Sequence, residues 1–218
     1  KDISIIDLPG IYSLSPYTPE EEVSRRFIID EKPDLIINIV DSTSLERSLY
    51  LTTQLLELDA DVILALNMVD ILESRGIDIN VEKLSNSLST SIISISASKQ
   101  TGIDKLNQII IEGKYKKNTH IKIYPQEIEE VISIFERNLK SDNKRFASVK
   151  LIEDDSGYHG LKSNEDEQEV KKLERTFDMD GEQLIASKRY DFVESVCKEC
   201  LTITKRKDSF TDKLDKIF

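Results

Sequence analysis

Three short polar motifs interrupt apolar runs in this chain: Asp7-Leu8-Pro9-Gly10, Asn67-Met68-Val69-Asp70 and Ser96-Ala97-Ser98. In a parallel α/β sheet, ligands bind just outside the carboxyl ends of the strands, so three motifs at three strand ends describe one site approached from three sides. An aspartate at a strand tip can hold Mg²⁺ through water. The glycine after it lets a backbone N–H come close to a phosphate, because no side chain intervenes. A carboxylate placed like Asp70 can accept from both the N1–H and the 2-amino group of guanine, a donor pair that adenine lacks. Asn67 would brace the loop and reach the purine, with Met68 covering its apolar face. In the last motif Ala97 N–H would face guanine O6 and Ser96 would fix the turn. Each motif is common by itself; their order and placement carry the reading. No Gly-x-x-x-x-Gly-Lys-Ser/Thr phosphate loop occurs, and the chain opens without a methionine. The expectation is a guanine-nucleotide protein lacking its first segment.

The elements that would position these motifs alternate. Ile3 to Ile6, Leu35 to Val40, Val62 to Leu66 and Ile92 to Ile95 are short β-branched runs with the length of buried parallel strands. Between them lie helical patterns. Thr18-Pro19-Glu20-Glu21 reads as a helix start, with Thr18 as N-cap, Pro19 in the first turn and Glu21 closing a capping box. Helices are also expected over Leu45 to Leu58, Val81 to Leu88 and Ile103 to Ile111. This β-α order predicts a doubly wound parallel sheet. Beyond the polar stretch Lys114 to Thr119 the pattern turns helical, with no further strand expected after Tyr124-Pro125. Helices are expected from Pro125 through Leu139, around Asn143 to Glu153, Asp166 to Phe177, Gly181 to Leu201, and Thr211 to the end. Asn164 to Glu169 reads as a solvated face or loop. The division is residues 1–114, an α/β domain, and 115–218, an all-helical domain.

Composition narrows the function classes. The 218 residues carry a net charge of -11, against the basic surface of a nucleic-acid binder, so no nucleic-acid partner is expected. No apolar run approaches the roughly 20 residues of a membrane helix, and no signal peptide is recognisable; the expectation is a soluble, cytosolic piece. Cys197 and Cys200 form a lone Cys-x-x-Cys late in a helical pattern. A zinc site needs about four ligands, and the two cysteines read as small helix residues in a reducing compartment.

A family resemblance follows from longer stretches. Asp7-Leu8-Pro9-Gly10-Ile11-Tyr12-Ser13-Leu14-Ser15-Pro16-Tyr17 with Glu20-Glu21-Glu22 closely resembles the switch II region of the ferrous-iron transporter B (FeoB) family. So do Val40-Asp41-Ser42-Thr43-Ser44-Leu45-Glu46-Arg47-Ser48-Leu49-Tyr50-Leu51, Asn67-Met68-Val69-Asp70, Arg189-Tyr190 with its hydrophobic helix, and Thr211 to Ile217. The resemblance implies a P-loop GTPase-type doubly wound sheet, incomplete because phosphate loop and switch I are missing, followed by a GDI-like helical domain that leads to the membrane region. It implies GTP/GDP and Mg²⁺ as cofactors, and Fe²⁺ as the ion moved by the parent protein rather than bound here. The implied partners are the membrane domain of the same polypeptide and small accessory proteins of the transport system. The implied place is the cytoplasmic face of the cell membrane. The family's missing first strand would lie between those ending at Asp7 and Asp41, so raw strand edges are expected. Ile11 stands where many GTPases carry a water-orienting glutamine, so hydrolysis is expected to be slow in the parent and absent in this chain alone. The catalytic residue stays unassigned. Competing readings are a soluble ribosome- or RNA-associated GTPase and a non-enzymatic interaction module.

Overall fold

A computed structural model describes residues 3–15 and 18–203. The helix expected from Thr211 lies outside the described residues. In chain order the elements are α1 (Pro19–Asp30), β1 (Leu35–Asp41), α2 (Leu45–Leu55), β2 (Asp61–Asn67), α3 (Val69–Ser74), β3 (Ile77–Ile79), α4 (Val81–Ser87), β4 (Ser91–Ser94), α5 (Ile103–Glu112), α6 (Gln126–Asn138), α7 (Lys144–Ile152), α8 (Asn164–Phe177), α9 (Gly181–Cys200) and β5 (Leu201–Ile203). Single 3₁₀ turns cover Ser42–Ser44 and Ser156–Leu161.

The main sheet has the order β1-β2-β4, all parallel. Its register sets Asp41 beside Asn67 and Leu66 beside Ser94, so the strands deliver their polar tips to one edge of the sheet. Burial on both faces explains why β2 reads as a continuous apolar run: Val62, Ile63, Leu64, Ala65 and Leu66 are all buried. Ile63, Ala65, Ile93 and Ile95 face Leu106 of α5. The alternate residues Val62, Leu64 and Leu66 join Leu45, Leu49 and Leu55 of α2.

The helical residues are not a separate appendage. Val193, Val196, Cys197 and Cys200 of α9, with Phe146 of α7, enter the same core as α2 and α4. Tyr190 stacks on Tyr50 of α2 at 4.8 Å. A second core packs α6, α7, α8 and α9 through Ile128, Ile132, Phe135, Val149, Ile152, Leu173 and Leu184. Cys197 and Cys200 are buried free thiols, and burial pushes the Cys197 thiol up to about 12, so neither is poised as a nucleophile.

Two expectations are corrected. Ile3 to Ile6 forms no strand: Ile5 is 80% exposed, and among the described residues no neighbouring strand offers this backbone a ladder. A strand does recur after Tyr124, because β5 pairs antiparallel with β3, Ile77 opposite Ile203 and Ile79 opposite Leu201. Neither α3 nor β3 was expected between Asn67 and Val81. Asn164 to Glu169 is the start of α8, set by a capping box between Ser163 and Asp166, and it is mostly exposed, so of the two readings it is the solvated face. The capping box at Thr18 and Glu21 forms as expected, with Thr18 Oγ1 accepting from Glu21 N–H and Glu21 Oε2 from Thr18 N–H.

Candidate nucleotide site

The ends of β2 and β4 bring the second and third motifs together. Asn67 ends β2 and turns its carboxamide toward the loop after β4, where Oδ1 accepts from Ala97 N–H at 3.0 Å. This bond ties the loop after β4 to the end of β2 and engages the Ala97 N–H. Met68 adopts the left-handed conformation, φ 63°, which swings the chain into α3 and leaves its side chain partly exposed. Val69 and Asp70 then open α3, where a carboxylate also complements the exposed N–H groups of the first turn. Ser96 is buried, its backbone pairing both ways with Thr101 at 3.1 Å and its Oγ lying 3.2 Å from Ser98 Oγ. This pinches residues 96–101 into a compact turn. Gly102 closes it at φ +79°, and a Cβ there would lie 2.2 Å from Ser94 O, so only glycine fits.

Lys99, which the sequence reading did not single out, places Nζ 2.8 Å from Asp70 Oδ2. That hydrogen bond, opposed by partial burial and aided by Ser96, holds the Asp70 carboxyl below the usual range. The signal that could have found Lys99 is its position three residues after Ser96 on the same turn. On the neighbouring strand, Asp41 Oδ1 accepts from Thr43 N–H at 2.8 Å and Thr43 Oγ1 at 2.7 Å, and Ser42 Oγ donates to Asn67 O. The purine side of the candidate site is therefore a cross-linked set of turns at three strand ends.

The first motif is held differently. Asp7, Pro9 and Gly10 are exposed and Leu8 half-buried. Buried Ser24 of α1 donates to Pro9 O at 2.9 Å. Leu8 and Ile11 pack on the first core, so Ile11 acts as an apolar anchor. Tyr12 lies under the Arg47 guanidinium at 4.0 Å. Leu14 is fully buried, its N–H donating to Gln54 Oε1 at 2.6 Å, and Gln54 Nε2 donates to Ser13 Oγ. The bonds of this segment run to α1, α2 and α7 rather than to the turns around Asn67 and Ser96. No group of three or more His, Cys, Asp or Glu side chains among the described residues could hold a metal ion by itself.

Comparison with known proteins matches this architecture at both ends. Residues 1–110 match the family described as ferrous iron transport protein B, and residues 124–202 match the FeoB cytosolic helical domain. The Fe(2+) transporter FeoB of Escherichia coli K12 is 31% identical over 99% of this chain and 29% of its own length. That of Legionella pneumophila strain Paris is 35% identical over 99% of this chain and 30% of its own. The chain thus spans under a third of these relatives. Among solved structures, S. thermophilus NFeoB bound to GDP·AlF4⁻ and K⁺ superposes with a TM-score of 0.80 at 39% identity, covering 88% of this chain and 79% of that one. The mGMPPNP-bound form gives 0.79 at 37% identity, over 94% and 80%. Matched over both its α/β and its helical residues, this chain belongs to the ferrous iron transport protein B family.

Proposed function

We propose that the chain is the guanine-nucleotide-responsive part of a ferrous-iron uptake protein, with residues 1–114 as GTPase domain and 115–218 as helical domain leading to the membrane region. The observation that carries the nucleotide reading is the coupling of the two purine motifs: Asn67 Oδ1 holds Ala97 N–H while Asp70, paired with Lys99, opens α3 beside the same turn. An ionised carboxylate there accepts from guanine N1–H and its 2-amino group and leaves adenine without a match. Met68, exposed at the α3 entry, covers the base. Val69 and Ser98 complete the two loops around it.

At the phosphate end, Gly10 is exposed with nothing within 4 Å of where a Cβ would sit, so no side chain stands between this backbone and a γ-phosphate. Asp7 is a single exposed carboxylate at the motif's head. That suits Mg²⁺, which keeps several waters and takes one or two carboxylates together with phosphate oxygens. Leu8 and Pro9 hold this stretch against the core and Ser24. GTP binding, slow hydrolysis to GDP and release would move the Gly10 segment. In the parent protein this movement would govern Fe²⁺ passage through a membrane domain of the same polypeptide, at the cytoplasmic face, with small accessory proteins in attendance.

The experiment measures affinity for fluorescent GDP, GTP and ATP analogues with Mg²⁺ on this chain and on one extended upstream to its natural start. The expected result is guanine-selective binding by the extended chain, little binding and no turnover by the 218 residues alone, and loss of selectivity in Asp70→Ala. Failure of the extended chain to bind any guanine nucleotide overturns the reading.

A further inference from the structure

A charged side chain from the helical half reaches the segment that follows Gly10. Lys150 of α7 is fully buried, and its Nζ donates to Ser15 Oγ at 2.6 Å and to Glu153 Oε2 at 2.5 Å, with Asp155 Oδ2 at 3.5 Å. An ammonium has three protons to place, and here the oxygens come from two stretches of chain: Ser15 on one, and Glu153 with Asp155, on the turn directly after α7, on the other. Taking a charged group out of water is costly unless it is paired and hydrogen-bonded. Ser15 therefore cannot leave without removing one of three acceptors from a buried cation.

The other two acceptors are anchored in turn. Asp155 also takes Arg25 of α1 at 3.0 Å. Glu153 is shared with Arg189 of α9, whose second guanidinium nitrogen meets Glu57 at 2.8 Å, both side chains fully buried. Glu57 lies three residues beyond Gln54, and Gln54 grips Ser13 and Leu14. The contacts form a closed ring from Ser15 through Lys150, Glu153, Arg189, Glu57 and Gln54 back to Ser13. A cleft of about 530 Å³ opens beside it, lined by Ser15, Arg25, Glu153, Asp155 and Tyr158.

We propose that Lys150 is a positioning residue that latches the Asp7–Ser15 segment to the helical half, so that the placement of Gly10 and the ion ring of α7 and α9 are set together. The proposal rests on the reading of Gly10 as a phosphate contact. A latch of this kind gives the helical half leverage over GDP against GTP, and the nucleotide equal leverage over the helical half, because coupling between two sites is reciprocal.

The test uses Lys150→Met, Ser15→Ala and the double variant. Lys150→Met leaves Glu153 with Arg189 and Asp155 with Arg25, so neither carboxylate is stranded; Ser15→Ala removes one hydroxyl and keeps the test decisive if the lysine variant does not fold. Two readouts are taken. One is amide exchange at Ile11–Ser15 in this chain, with β2 as internal reference. The other is the ratio of GDP to GTP-analogue affinity in the upstream-extended chain. Each single variant is expected to raise exchange at Ile11–Ser15 about ten-fold without change in β2, and to shift the affinity ratio at least about five-fold. The double variant should add nothing further. Additive effects, exchange that rises everywhere alike, or an unchanged ratio where the parent chain discriminates would overturn it. If the extended chain binds no guanine nucleotide, the functional reading falls and the exchange measurement alone decides the latch.

Discussion

Arg189 sits at 0% exposure between Glu57 and Glu153, with Tyr124 donating to Glu57 as well. Burial pushes the Glu57 carboxyl up, with Arg189 holding it back only in part. For Glu153 burial acts the same way, but Arg189 and Lys150 together outweigh it and hold the carboxyl below its usual range. Removing one member of a buried pair strands the others, so Arg189→Met is expected to destabilise by about 3–5 kcal/mol, read by urea denaturation. The acid limb has a definite sign. A carboxylate whose folded pKa is depressed contributes stability fully above its unfolded pKa, about 4.3, and loses it as pH falls through the lower folded value. Glu153→Gln should therefore flatten the fall in stability below about pH 4, measured by denaturation midpoints at stepped pH. Glu57 contributes with the opposite sign, losing stability as pH rises through its raised folded value. The pairing in this ring was not legible in the sequence, because Arg189 and Glu57 are 132 positions apart; Arg189 stood out only through the family resemblance, and nothing local marks Glu57. Asn67, Asp70 and Ser96 could be picked out as candidates because side-chain type and short spacing suggest their chemistry.

At the level of elements, the turn from Ser96 to Gly102 is the joint that holds the second and third candidate motifs together. Gly102→Ala would combine a positive φ with a Cβ 2.2 Å from Ser94 O. We expect a loss of at least about 1–3 kcal/mol, seen as a lower Tm, together with weaker fluorescent GDP binding in the extended chain as the Ser96–Thr101 pairing opens. Long periodic helices and buried strands could be read from the sequence, since burial imposes their patterns. The end of α2 ran short of Leu58 because the chain must turn at Leu56 to bring Glu57 inward. Three-residue strands such as β3 and β5 carry too few positions for a period, and their pairing is decided by where α9 ends, with Asn80 N–H donating to Cys200 O at 2.8 Å. Ile3 to Ile6 shows the reverse failure: β-branched residues favour extended backbone, but a strand exists only where a ladder receives it.

For the whole molecule, the main sheet presents β1 with β2 on one side and no strand on the other among the described residues. Ile39 is 67% exposed there, and Ile3, Ile5 and Ile6 are exposed as well. An apolar open edge is a template for pairing with another chain. This 218-residue chain is expected to associate with rising concentration, and Ile39→Lys should reduce that, measured by light scattering at matched concentrations. The fold class was legible because β-α alternation admits few arrangements. That α9 shares the sheet's core was not, since an amphipathic helix does not disclose what it packs on. The β3–β5 ribbon, finally, has a mechanical consequence. The backbone leaving α9 is fastened to β3, and β3 is joined to α3, the helix that Asp70 opens, by Arg75 and Gly76 alone. A pull along the outgoing chain at Ile203 would load this ribbon in shear and tug on the loop that carries Asn67 and Asp70, so tension there would reach the candidate site through two residues of backbone.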